Sequence, residues 1–216
     1  MHISLFFRNF AAEIDERMPT GTIIAKGIRH RITTGKENQL YVVSDFADMG
    51  NSDAVTRILS RLSEEKVLVR LAQGLYLFPI RTRFGMQKPS LDTIAETIAA
   101  KDKSIIIPSG LTALNLLGLS TQVPMNAVYV TNGTARKLNI DNRTIIFKKA
   151  APSAFVYQSK LFAMVVLAMK EIGANNITEA EINSIRKTLS SAEDLDTIRK
   201  DILHAPQWIQ KHLQDI

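Results

Sequence analysis

The stretch from Asn51 to Pro79 constrains this chain more than any other. Over residues 53–65, Val55, Ile58, Leu59 and Leu62 fall at i, i+3, i+4 and i+7, which predicts one apolar stripe along an α-helix. Asn51 or Ser52 stands where its N-cap belongs. Directly afterwards come Val67–Leu71, then Ala72-Gln73-Gly74, then Leu75–Pro79: a strand, a tight glycine turn and a second strand. Before the helix, Ser44 reads as the cap of a short helix, Asp45 to Met49, ended by Gly50. A lone hairpin is marginal in water, so the stripe and the hairpin need each other and further cover. Residues 3–18 offer it. Ile3, Phe6, Phe7, Phe10, Ile14 and Met18 repeat at helical spacing until Pro19-Thr20-Gly21 stops them.

Short helix, glycine turn, amphipathic helix and hairpin, in that order, predict a winged helix-turn-helix domain. Thr22-Ile23-Ile24 and Leu40-Tyr41-Val42-Val43 read as extended. Between them lies a basic stretch of Lys26, Arg29, His30, Arg31 and Lys36 with a polar turn at Gly35.

Beyond the hairpin, Arg81 to Ser90 is basic, contains Gly and Pro, and lacks periodicity, so it reads as a linker. The expected domains are 1–85 and 86–216. In the second, Ser90 caps a helix through Ala100, Ser104 to Ile107 forms a short buried strand, and a helix over about 111–117 ends at Gly118. A β-meander is expected next, over 127–131, 136–140 and 144–148, turned by Asn132-Gly133 and Asp141-Asn142. The rest is helical. Tyr157 to Ile172 is largely apolar. Thr178 with Glu181 predicts a capping box for 179–189, and Ser191 with Asp194 predicts one for 192–203. Pro206 starts a last short helix. Leu161, Val165, Leu167, Ile182, Ile185, Leu189, Leu195, Ile198 and Trp208 are the expected buried positions. The fold class is therefore α+β: an N-terminal winged helix-turn-helix domain, then a mixed α/β C-terminal domain with a small antiparallel sheet and a helical end.

Charge bears on partners. The net charge is +6 and the pI about 9.6, in the range where nucleic-acid binding is worth testing. Residues 1–88 hold 13 Lys+Arg against 9 Asp+Glu, residues 89–150 hold 7 against 4, and residues 151–216 hold 7 against 8. The basic excess thus belongs to the first two-thirds. No cysteine is present, which removes disulfides, thiol nucleophiles and cysteine zinc sites. The longest apolar run, Leu161 to Met169, is about half of a membrane-spanning length. Met1 to Arg8 has no secretory pattern. A cytoplasmic protein without a membrane partner is expected.

With its stripe turned inward, helix 53–65 turns Ser52, Thr56, Arg57, Ser60 and Arg61 outward. Small hydroxyls beside two arginines suit phosphate contact and base-edge readout, since arginine pairs bidentately with guanine. The plain alternative is a solvated face that carries two arginines. Arg70 and Gln73 lie on or beside the hairpin tip, where a wing meets a phosphate backbone; a hairpin packed on the second domain is the alternative. Lys26, Arg29 and Arg31 either follow a phosphate backbone or lie on a solvated loop. Asp53 reads as first-turn charge complementing the helix dipole.

Signals of catalysis are weak. His2, His30, His204 and His212 are scattered without metal-type spacing. Ser109-Gly110 sits between a strand and a helix, yet lacks the residues of a P-loop or a dinucleotide fold. No catalytic residue, metal or cofactor is expected. An enzyme acting on nucleic acid, with a site around Ser109 and Gln122, remains a third alternative.

Three strings carry a family likeness. The first joins Ala54-Val55-Thr56-Arg57-Ile58-Leu59-Ser60-Arg61-Leu62 to Arg70-Leu71-Ala72-Gln73-Gly74-Leu75-Tyr76-Leu77-Phe78-Pro79. The second is Pro108-Ser109-Gly110 with Ala113 to Pro124, including Leu117-Gly118-Leu119-Ser120-Thr121-Gln122-Val123-Pro124. The third is Tyr129-Val130-Thr131-Asn132-Gly133 followed by Ile146-Phe147-Lys148. With the ending Ala205-Pro206-Gln207-Trp208, they resemble the AbiEi-like antitoxins of bacterial type IV toxin–antitoxin systems. The resemblance implies an N-terminal winged helix that binds double-stranded operator DNA and represses its own operon. It implies a C-terminal domain that counteracts a nucleotidyltransferase-like toxin. The alternative is a stand-alone regulator whose second domain senses a ligand or a protein.

Overall fold

The computed structural model describes residues 20–83 and 85–216. The helix expected over 3–18 lies outside the described residues. The chain divides into two units, Met1–Pro89 and Ser90–Ile216. Both mix helices with small sheets, an α+β arrangement.

The first unit runs α1 (Thr20–Thr33), β1 (Gln39–Val42), a 3₁₀ turn (Val43–Phe46), α2 (Ser52–Glu64), β2 (Val69–Ala72), β3 (Leu75–Phe78), β4 (Ile80–Thr82) and β5 (Gly85–Gln87). β1, β3 and β2 form one antiparallel sheet in that spatial order. Helix α2 follows the expected stripe: Val55, Ile58, Leu59 and Leu62 are buried. Its N-cap is Asn51, whose side-chain oxygen accepts from the Ala54 amide at 2.8 Å. The β2–β3 turn is Gln73-Gly74, with Gly74 at φ +71°, a conformation that favours glycine.

Three local expectations are corrected in this unit. Thr22-Ile23-Ile24 is helical, and Lys26, Arg29 and Arg31 ride on α1 rather than on a loop. Ile24, Ile28 and Ile32 recur every four residues and face Phe46, Val55 and Leu59 in one core. Burial of that stripe outweighs the β-preference of Thr22 to Ile24. The helix expected over Asp45–Met49 is instead the 3₁₀ turn Val43–Phe46, and Ser44 is not its cap. The Asp45 carboxylate accepts from the Val42 amide at 2.8 Å, closing the segment one turn earlier. The expected linker also contains structure: β4 and β5 pair as a separate two-stranded ribbon.

The second unit runs α3 (Leu91–Lys101), β6 (Ile106–Pro108), α4 (Leu111–Leu116), β7 (Asn126–Thr131), β8 (Arg136–Ile140), β9 (Arg143–Lys149), a 3₁₀ turn (Pro152–Phe155), α5 (Lys160–Ile172), α6 (Glu179–Ser190), α7 (Leu195–Ile202) and α8 (Gln207–Leu213). The sheet order is β6-β7-β9-β8, so the expected meander is corrected. β7 pairs in parallel with β9, and β8 lies outside β9 as its hairpin partner. The sheet is therefore mixed, not antiparallel. Asn132-Gly133 turns no hairpin. Instead the Asn132 side-chain oxygen accepts from the Ile105 amide at 2.8 Å, tying the end of β7 to the start of β6. Asp141-Asn142 does turn the β8–β9 hairpin, with Asp141 at φ +54°.

Helix α5 forms the centre of the helical core. Phe162, Val165, Val166, Ala168 and Met169 are buried on it, among Ile185, Leu189, Ile198 and Ile209. Of the expected core, Val165, Ile182, Ile185, Leu189 and Ile198 are buried. Leu195 and Trp208 are only partly covered. So are Leu161 and Leu167, because the buried face of α5 is centred on Phe162, Val166 and Met169 instead. Thr178 and Glu181 make the expected capping box. Ser191 and Asp194 do not: Asp194 is the N-cap of α7, with no side-chain cap bond. The buried Asp201 carboxylate accepts from the Gln158 and Ser159 amides at 3.1 and 2.8 Å, tying α7 to the start of α5. No helix among the described residues is long and apolar enough to cross a membrane.

Candidate nucleic-acid interface

The burial of one α2 face decides what the other presents. Ser52, Thr56, Arg57 and Arg61 are exposed. The Thr56 hydroxyl donates to the Ser52 carbonyl at 2.7 Å, so its methyl group is the part left outward. Ser60 departs from the expectation. It is half-buried, with its hydroxyl 3.4 Å from that of Tyr76 on β3, and it helps seat the helix on the sheet.

Helices α1 and α2 enclose a groove of about 620 Å³ whose cations are Lys26, Arg29, Arg57 and Arg61. Arg29 and Arg61 come from different helices and share one carboxylate. Glu65 pairs with the Arg29 guanidinium and lies 3.8 Å from the Arg61 Nε. No described residue pairs with Arg57. The sequence reading missed Glu65, because its contact with Arg29 spans 36 positions.

Arg31, one of the expected phosphate contacts, is held by an acid of its own unit. Its guanidinium grips both carboxylate oxygens of Asp48 at 2.8 and 2.5 Å, donates to the Asp45 carbonyl at 3.0 Å, and lies over the Phe46 ring. The fork holds the Asp48 carboxyl below the ordinary carboxylate range, chiefly through the Arg31 hydrogen bonds and against a smaller desolvation effect. Arg70 on β2 and Gln73 at the hairpin turn are both exposed. Arg70 lines a second cleft, together with Lys66 and Arg81.

In the second unit, Ser109 and Gly110 line a groove of about 550 Å³ with Lys148, Lys170 and Glu171. Gln122 is exposed and is not among the lining residues, so Ser109 and Gln122 do not converge there. Gly110 adopts φ +58° before α4, which explains the glycine without invoking a ligand. Tyr129 on β7 donates to Asp92 on α3. Burial first, and then this carboxylate, raises the phenol far above its usual value and makes it a strut between sheet and helix. Among the described residues, no group of three or more His, Asp or Glu side chains could hold a metal ion.

A family model matches residues 27–197. The chain belongs to the DUF6088 family, a family of unknown function. The matched span takes in most of α1, all of α2, the β2–β3 hairpin, the mixed sheet and α5, and so reaches into both units. No curated protein matches the chain.

Proposed function

We propose that this DUF6088 protein binds double-stranded DNA through a winged helix in its first unit and represses transcription of its own operon. One observation carries the reading. Helix α2 rests on a fully apolar stripe and turns Arg57 outward with no described carboxylate holding it, beside Ser52, Thr56 and Arg61. An unpaired arginine on a rigid helix is suited to guanine or phosphate. The order α1, β1, 3₁₀ turn, α2, β2, β3, with β1 pairing to β3, supports the winged-helix assignment. On that assignment α1 takes the place given above to residues 3–18.

The second unit is proposed as the part that counteracts a nucleotidyltransferase-like toxin. That role rests on the likeness of the Leu117 to Pro124 string to AbiEi-like antitoxins. A stand-alone regulator that senses a small ligand is the second reading, favoured by the groove at Ser109, Lys148 and Lys170.

The test uses the full chain and the DNA upstream of its own gene. Engagement of about 4–6 phosphates gives a log–log salt slope of roughly −4 to −5. Absence of duplex binding at about 50 mM salt by a folded protein overturns the DNA reading. Growth under expression of a neighbouring nucleotidyltransferase-like gene, with and without this chain, separates antitoxin from stand-alone regulator.

A further inference from the structure

The basic excess of the first unit does not sit on the α1–α2 face. Residues 20–65 carry six Lys+Arg against six Asp+Glu, whereas residues 66–89 carry five and no carboxylate. Those five are Lys66, Arg70, Arg81, Arg83 and Lys88. Lys66, Arg70 and Arg81 line one cleft of about 510 Å³, between β2 and the β4–β5 ribbon. Ser63 and Met86 are also in its wall, and among the described residues no Asp or Glu is.

The way the cleft is built adds to the argument. Lys66 adopts φ +60°, a left-handed conformation that glycine would occupy without strain. Shape alone therefore does not account for lysine there. Arg81 donates to the Lys66 carbonyl and pins the ribbon to this turn. The ribbon has three residues per strand, pairs with no other described strand and is almost wholly exposed, so it contributes little to the core. What it does contribute is a third cation opposite Lys66 and Arg70. Three like charges facing one cleft repel until an anion enters. Guanidinium forks and an ammonium suit the diffuse charge of a phosphate.

We propose that this cleft is a phosphodiester site that grips the backbone of duplex DNA, with Lys66, Arg70 and Arg81 as its cations. It adjoins the C-terminal end of α2, and the inference rests on the reading of α2 as the DNA-facing helix.

The test compares the full chain with its Lys66→Gly, Arg70→Gln double variant. Glycine suits the left-handed turn and removes the charge; Arg70 is exposed on an edge strand. Binding is measured by fluorescence anisotropy on two duplexes of about 30 base pairs, one AT-rich and one GC-rich, across a salt series. The variant is expected to lose about tenfold in affinity on both duplexes alike, with the salt slope shallower by about 2. Equal affinity and slope for wild type and variant overturn the site while leaving the α2 reading standing. A loss confined to one duplex also overturns it, since a phosphate contact carries no sequence preference. Failure of the wild type to bind either duplex is a different result, and it removes the α2 reading and the site together. Should thermal unfolding show the double variant to be unstable, Arg70→Gln alone is expected to flatten the slope by about 1. A titration with inorganic phosphate, following the Lys66 and Arg70 amides by NMR, separates the two sources of the group. Shifts that duplex reproduces at lower concentration support the proposal. Shifts that phosphate alone gives, and duplex neither reproduces nor reverses, assign the cleft to a free oxyanion and overturn it.

Discussion

The α1–α2 groove and the β2–ribbon cleft are both basic, yet their cations are held differently. In the groove, Glu65 bridges Arg29 and Arg61, while Arg31 on the same helix is consumed by Asp48. In the cleft, Arg81 meets the Lys66 carbonyl, and no described carboxylate is in the wall. Counting basic residues along the sequence ranks the two regions wrongly, because a count does not register the carboxylates that the fold brings back to them. A compensated surface is pre-ordered and keeps less long-range attraction. An uncompensated one attracts from farther away and depends more on salt.

The contrast can be broken by substitution. Arg57→Ala with Arg61→Ala has the largest expected effect, about 1–3 kcal/mol each on a preferred sequence, together on the order of a hundredfold in affinity. Competition between preferred and random duplex measures it. Equal loss on both would make these side chains phosphate contacts, and no loss on either would take α2 out of the interface. Next comes Glu65→Gln. Releasing Arg29 and Arg61 is expected to raise duplex affinity about two- to fivefold and to steepen its salt dependence. A drop in affinity would mean that Glu65 orders the arginines for binding rather than competing with the phosphates.

Arg31→Ala is the internal control. It is expected to leave duplex affinity unchanged and to lower folding stability by about 1 kcal/mol, read by denaturant unfolding. A loss of binding as large as that of Arg57→Ala would return Arg31 to the interface. The smallest effect is the pH dependence of the same pair. The Asp48 carboxyl is held below its ordinary value in the folded state. Its contribution is therefore complete above the ordinary carboxylate range, near pH 4, and is lost as pH falls through the folded-state value. Because Asp48 is half exposed, the gap in stability between wild type and Asp48→Asn should stay under about 1 kcal/mol at neutral pH. It should close on acidification; a gap that widens toward low pH contradicts the pairing.

Local signals in the sequence were legible and distant ones were not. The α2 stripe, the Gln73-Gly74 turn, the Ser90 cap and the Thr178–Glu181 box all lie within a few residues of the contacts they make. The helical state of Thr22 to Ile24 was hidden because its cause, burial of Ile28 and Ile32 against Phe46 and Leu59, is tertiary. Sheet order was hidden for the same reason: Asn132-Gly133 has hairpin chemistry, but its partner is Ile105, 27 positions back. At the candidate interface, Arg57 and Arg61 follow from the helix period alone. The status of Arg29 and Arg31 depended on acids 36 and 17 positions away. A scan for long stretches without Asp or Glu would have drawn attention to Lys66 and Arg81 beforehand.

The parallel pairing of β7 with β9 also sets an order of assembly. β8 and β9 are joined by two residues and can zip within microseconds. β7 cannot add to its immediate successor. One of its edges can pair with β6 as soon as both strands are made, but the other must wait for β9. The sheet is therefore completed when two antiparallel pairs, β6–β7 and β8–β9, join along the parallel β7–β9 edge. In a chain emerging from the ribosome, the β9-facing edge of β7 would stay unpaired until Lys149 has cleared the exit. The apolar strand Ala127 to Val130 would be the segment most exposed to wrong partners during that interval.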